Sequence, residues 1–137
     1  MATLAERHTR TAGGAPRPVH GAPHPNQWLD AGDALVLTDF DRFGAGDPES
    51  DAATFLADIG DDDVLRADLE RVTAAFHAGY DSAAPEPLRR DLLSTYQVHH
   101  RIAKARHAAR AVRADGDARA ARHLARALAL CAEVVRT

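Results

Sequence analysis

Cysteine is almost missing from this 137-residue chain, where Cys131 stands alone. One thiol excludes an intrachain disulfide and a multi-cysteine zinc site. Its apolar neighbours, Ala-Leu-Ala-Leu before it and Ala-Glu-Val-Val after it, predict a buried, inert thiol. No apolar run approaches the roughly 20 residues of a membrane-spanning helix. Met1–Pro18 contains basic side chains but lacks the apolar centre of a secretory leader. A formal charge of −3 gives no electrostatic case for nucleic acid or a membrane surface. No internal repeat of solenoid length is present. The expectation is a cytoplasmic, single-domain protein with no nucleic-acid or membrane partner.

Helical periodicity is what fills most of the chain. A first helix is predicted over Pro48–Ile59, with Asp47 at the N-cap, Pro48 in the first turn and Ala52, Phe55, Leu56 and Ile59 on its buried face. Gly60 ends it. Asp61, Asp62 and Asp63 cap a second helix over Asp62–Tyr80, whose stripe is Val64, Leu65, Leu69, Val72, Phe76 and Tyr80. That aspartate run complements a helix dipole more readily than it makes a metal site. After Pro85 and Pro87, a third helix is predicted over Leu88–Ala114, with Leu92, Leu93, Tyr96, His99 or His100, Ile102, Ala103, Ala109 and Val112 inward. Asp115-Gly116-Asp117 breaks the chain, and a fourth helix follows over Ala118–Val135 with Leu124, Leu128, Cys131 and Val135 inward. Residues 1–18 read as a flexible tail because of Gly13, Gly14, Pro16 and Pro18, with one or two helical turns in Ala2–His8.

Chemistry is crowded into His20–Ile59. Trp28-Leu29 is a short apolar run, Asp30-Ala31-Gly32-Asp33 is turn chemistry, and Ala34–Thr38 is rich in strand formers. A ribbon pairing Trp28–Leu29 with Leu35–Thr38 returns the chain and brings Gln27 beside Asp39. An amide oxygen and a carboxylate at one mouth suit a hard cation such as Mg²⁺. Phe43–Pro48 reads as a loop.

Three segments stand in order: His20-Gly21-Ala22-Pro23-His24-Pro25-Asn26-Gln27, Asp39-Phe40-Asp41 and Gly46-Asp47-Pro48-Glu49-Ser50-Asp51. Together they resemble the aminoglycoside phosphotransferase and choline kinase-like superfamily. Its pattern is H-G-D-x-H-x-x-N or -Q, a strand, then D-F-D, D-F-E or D-W-E, then G-D-P-x-x-D. The close match runs from Val19 to Ile59. The resemblance implies a mainly α C-terminal lobe of a kinase-like phosphotransferase over residues 19–137, with a small β-hairpin and about four helices. It implies transfer of the ATP γ-phosphoryl group to a hydroxyl on a small molecule. Mg²⁺ would be held by Gln27 and Asp39, with Asp41 as an auxiliary. His20 would be structural support beneath the loop. Asp51 would point back to the loop backbone, the alternative being a carboxylate placed for the helix dipole.

Two departures bear on activity. Ala22 occupies the base position, and a methyl group accepts no proton. Nothing in Met1–Pro18 can supply the Gly-rich loop, strand lysine and helix glutamate that precede the catalytic loop in kinase-like enzymes. Transfer by this chain is therefore not expected, and a separate N-terminal lobe or self-association is the expected partnership. His24 is the candidate substitute for the vacant base, set against its ordinary place in the H-G-D-x-H pattern. The alternative function is a non-catalytic helical interaction module or pseudoenzyme. His99, His100 and His107 do not share a face at metal-binding spacing. Arg101, Arg106, Arg110 and Arg113, within a segment that is basic from Glu86 onward, read as a solvated helix face.

Overall fold

The structure is a computed structural model that describes residues 6, 14–61 and 65–136. It is mainly helical, with a small region of paired strands. Among the described residues the elements are β1 (Arg17–Val19), β2 (Trp28–Asp30), β3 (Leu35–Leu37), β4 (Gly44–Gly46), α1 (Pro48–Ile59), α2 (Leu69–Ala83), α3 (Arg90–Arg110) and α4 (Gly116–Arg136). Two compact units are present, one over Gly14–Arg89 and one containing the chain from Arg90 onward. The helical turns expected in Ala2–His8 lie, Glu6 apart, outside the described residues, as do Asp62, Asp63 and Val64.

In the Gly14–Arg89 unit, β2 and β3 pair antiparallel with Trp28 opposite Leu37 and Asp30 opposite Leu35. Their turn is made by Asp30, whose carboxylate accepts the Gly32 N–H at 2.8 Å, and by Gly32 at φ +90°. A second pair was not expected: β1 and β4 run antiparallel with Arg17 opposite Gly46 and Val19 opposite Gly44. Arg17 and Pro18 thus leave the tail assigned to residues 1–18, and Gly44–Gly46 leaves the loop assigned to Phe43–Pro48. Proline and glycine argue against a strand in isolation. A two-stranded ribbon is all edge, so the missing Pro18 N–H costs no interior ladder bond.

Helix α1 has the predicted bounds, and Ala52, Ala53, Leu56, Ala57 and Ile59 on it are buried. Asp47 sits at its N-cap with extended backbone, but its carboxylate pairs with Arg89 rather than capping. Glu49, in the first turn, is fully buried. Its carboxylate accepts the Arg89 backbone N–H and Nε–H at 3.0 Å each, and Nη2–H at 3.1 Å. A buried carboxylate is tolerable because Arg89 supplies three donors, two of them from a guanidinium that matches it in shape. Diverting the Arg89 N–H to Glu49 also moves the start of the third helix from the predicted Leu88 to Arg90.

Helix α2 covers Leu69–Ala83 instead of Asp62–Tyr80. Leu65–Asp68 winds as a tighter 3₁₀ turn at its entry. Its end is set by Pro85, which pushes Ala84 to extended backbone at ψ 144°. No residue of α2 is fully buried. It is seated by rings: Trp28 lies 5.6 Å from Phe55, Phe55 5.2 Å from Phe76, and Phe76 6.2 Å from Tyr80.

In the second unit, α3 and α4 pack on each other through small side chains. Ala105, Ala108, Ala120 and Ala127 are buried, and a Cβ on Gly116 would stand 2.8 Å from the Ala108 carbonyl oxygen. This close approach corrects several expectations. The third helix stops at Arg110, short of Ala114, so that the chain can turn, and Gly116 opens α4 where Asp115-Gly116-Asp117 was read as a break. Leu92 and Leu93 are buried as expected, but Leu124, Leu128, Ile102 and Val112 are exposed and Cys131 is half-buried, while alanines occupy the close contact near Gly116. His99, Ala103 and Ala109 face outward too. Arg101, read as part of a solvated face, is buried, whereas Arg106, Arg110 and Arg113 are exposed.

Burial pushes the Glu49 pKa up, but the hydrogen bonds from Arg89 outweigh burial and hold it below its ordinary value of 4.5. A depressed folded-state pKa contributes stability that is present above the unfolded value and is lost as pH falls through the folded one. The urea midpoint should therefore fall on acidification below pH 4.5. Glu49→Gln should cost about 3 kcal/mol at neutral pH, the low end for a broken buried pair because Arg89 keeps access to water, and should flatten that acid limb.

Candidate functional site

The segment after β1 is held by one carboxylate. Asp51, in the first turns of α1, accepts the His20 N–H at 2.6 Å through Oδ2 and the Gly21 N–H at 3.0 Å through Oδ1. Of the two roles open to Asp51 in the sequence, its carboxylate performs the one directed at the loop backbone. Gly21 sits at φ +90°, and a Cβ there would lie 2.3 Å from the Arg42 carbonyl oxygen. Only glycine satisfies both the left-handed backbone and the close approach.

His20 is buried at 6% exposure. Its Nε2 lies 2.8 Å from the Thr38 carbonyl oxygen, which can only accept, so Nε2 carries the hydrogen. Its Nδ1 is buried without a hydrogen-bond partner, and its ring lies 4.7 Å from that of Phe40. The imidazole therefore joins β1 to the end of β3 and presents no nitrogen to solvent.

The hairpin register sets Gln27 and Asp39 at one end. The Gln27 carbonyl oxygen accepts the Thr38 N–H at 3.0 Å and the Thr38 hydroxyl at 3.1 Å. The Gln27 side chain then donates from Nε2 to Asp39 Oδ2 at 2.7 Å, while its Oε1 accepts the His24 N–H at 2.7 Å. Asp39 holds φ at 67°, the one positive value found among non-glycine residues of the described chain. Aspartate tolerates this region better than most residues, and such backbone concentrates at functional positions. Asp39 and Asp41 are both exposed.

The expected cation chemistry can be tested against these contacts. Asp39 offers a solvent-facing carboxylate with Oδ2 steadied by an amide, a fitting oxygen donor for Mg²⁺, which keeps most of its waters and takes one or two carboxylates. The Gln27 oxygen faces His24, so the amide steadies Asp39 and would become a ligand only by exchanging both of its bonds. Among the described residues, no three His, Cys, Asp or Glu side chains converge as a ready-made metal cage.

Ala22 lies half-buried between Gly21 and buried Pro23 and supplies no acceptor. Two residues along, His24 Nδ1 is hydrogen-bonded to the Asp58 carboxylate. Asp58, near the end of α1, is 8% exposed and the His24 side chain is 45% exposed. Asp58 is a functional candidate that the sequence reading missed, along with the Glu49–Arg89 pair. The signal was present: acidic residues at 51 and 58 are two helical turns apart, and 58 falls between Ala57 and Ile59 on an apolar face.

Comparison with family models, curated proteins and solved structures gives no match to this chain. The geometry makes its own prediction. Asp51→Ala removes the acceptor for two backbone N–H groups and should cost about 2–4 kcal/mol, with hydrogen exchange at the His20 and Gly21 amides rising ahead of global unfolding. Gly21→Ala should cost about 3 kcal/mol or more, from strained backbone and the clash with Arg42.

Proposed function

We propose that the Gly14–Arg89 unit is the metal-and-phosphate side of a kinase-like phosphotransferase lobe of the aminoglycoside phosphotransferase and choline kinase-like kind. In this reading the chain binds Mg²⁺ and the phosphates of ATP without passing phosphoryl groups to a small-molecule hydroxyl at a useful rate. The observation that carries it is the contact of Gln27 with Asp39 at the mouth of the hairpin, beside a loop pinned by Asp51. Asp39 would hold the ion, with Asp41 as the second carboxylate of the same loop. When bound, Mg²⁺ would neutralise charge on the phosphate oxygens. His20 and Asp51 keep the loop in place; Gln27 orients Asp39. Ala22 leaves the acceptor hydroxyl without the base that typically contributes about 10²–10⁴-fold.

Isotope-edited NMR with Mg²⁺ and ATP tests this. Addition of the ion should shift the Asp39 and Asp41 carboxylate signals and the Gln27 side-chain amide, and Asp39→Ala should abolish the response. ATP consumption over a panel of aminoglycosides, amino sugars and choline-like alcohols should stay at background. No Mg²⁺ response at Asp39 would overturn the binding half of the proposal, and turnover lost in Asp39→Ala would overturn the other half.

The interaction-module reading draws support from the apolar side chains around the hairpin. Leu29, Leu35, Phe40 and Phe43 are all at least half exposed. Sedimentation should show concentration-dependent self-association that Leu35→Lys, at an exposed position, weakens without loss of helical signal.

A further inference from the structure

His24 and Asp58 form a pair to which the function proposed above gives no role. The dyad is built from two elements that α1 and the pinned loop hold together. Asp58 lies on the buried side of α1, its carboxylate taken out of water. It meets Nδ1 of an imidazole whose side chain is nearly half exposed. A carboxylate only accepts, so Nδ1 carries the hydrogen and the neutral ring has its lone pair on Nε2. Among the described residues no hydrogen bond reaches Nε2. His24 is further fixed through its backbone, whose N–H is taken by Gln27 Oε1. The ring therefore has a set tautomer, a restrained position and an available lone pair, the arrangement that a carboxylate gives to a reactive histidine.

We propose that His24 is a phosphoacceptor, phosphorylated on Nε2, with Asp58 as its positioning residue. A general base needs an acceptor hydroxyl held beside it, whereas a phosphoacceptor needs an available lone pair and a phosphoryl donor that can approach it in line. The Nε2 lone pair forms a bond to phosphorus as the bond from phosphorus to the leaving group breaks. With phosphoramidate as donor, the P–N bond breaks and its electron pair leaves with ammonia. The ring, still protonated on Nδ1, becomes a cationic N-phosphohistidine, and its positive charge is met by the Asp58 carboxylate. No oxidant or metal enters the balance. The assignment does not depend on nucleotide binding, so it stands or falls separately from the function proposed above.

The test uses the full chain and phosphoramidate, followed by peptide mass spectrometry under alkaline conditions that preserve phosphohistidine. His99 and His107 are exposed and serve as comparators within the same molecule. His24 should gain one phosphoryl group faster than His99 and His107 by on the order of ten-fold or more, the scale on which a positioned partner group acts. In urea the rates should converge. Asp58→Asn should bring His24 down to the comparators while leaving His99 and His107 unchanged. Equal rates at the three histidines in the native chain would overturn the proposal whether or not any variant folds. Preferential labelling of His24 that survives in a folded Asp58→Asn protein would overturn the role of Asp58.

Discussion

One carboxylate bridging two consecutive backbone N–H groups is the contact on which the candidate site depends. Asp51 grips His20 and Gly21, and each further contact is placed relative to that grip. Gly21 is pressed against Arg42, which fixes the return of the chain after β3. His20 reaches Thr38, which bonds back to Gln27, which holds Asp39 on one side and His24 on the other. Releasing the Asp51 carboxylate would free the first link of a chain of contacts that ends at both candidate chemical groups.

Helix α1 is unusual in what it does with its acids. Glu49, Asp51 and Asp58 lie on one short helix and serve three separate partners: Arg89, the His20–Gly21 backbone and the His24 ring. Two of the three are buried. Buried carboxylates are costly unless their lone pairs are met, and here each meets donors from a distant part of the chain. An apolar helix could pack as tightly but could not dictate which loop lies on it or which way that loop faces. The helix thus works as a jig for the segments before and after it.

The hairpin, its turn and the meeting of Gln27 with Asp39 were legible because turn chemistry and alternation act over a few residues. The bounds of α1 were legible for the same reason: Pro48 and Gly60 are local punctuation. The β1–β4 pair was not, since three-residue strands containing proline and glycine carry no periodic signal and pair residues about 27 positions apart. The partners of Glu49 and Asp58 lie more than thirty residues away, beyond any local pattern. Leu92 and Leu93 are buried as their spacing predicts, whereas Ile102 on α3 and Leu124 and Leu128 on α4 were misjudged because hydrophobicity favours leucine at a contact, while close helix approach favours alanine. The same geometry placed Arg101 inside, where its long apolar stem can be covered.

Trp28 is the only tryptophan in the chain, and its ring rests near Phe55, which in turn meets Phe76. Its fluorescence therefore belongs to the hairpin and to the aromatic seat of α2. The two longest helices, α3 and α4, lie in the other unit and dominate the far-ultraviolet circular dichroism. Light emission and ellipticity consequently observe different units of one molecule. Whether their unfolding curves superimpose is a direct measure of how strongly the two units share a single cooperative transition.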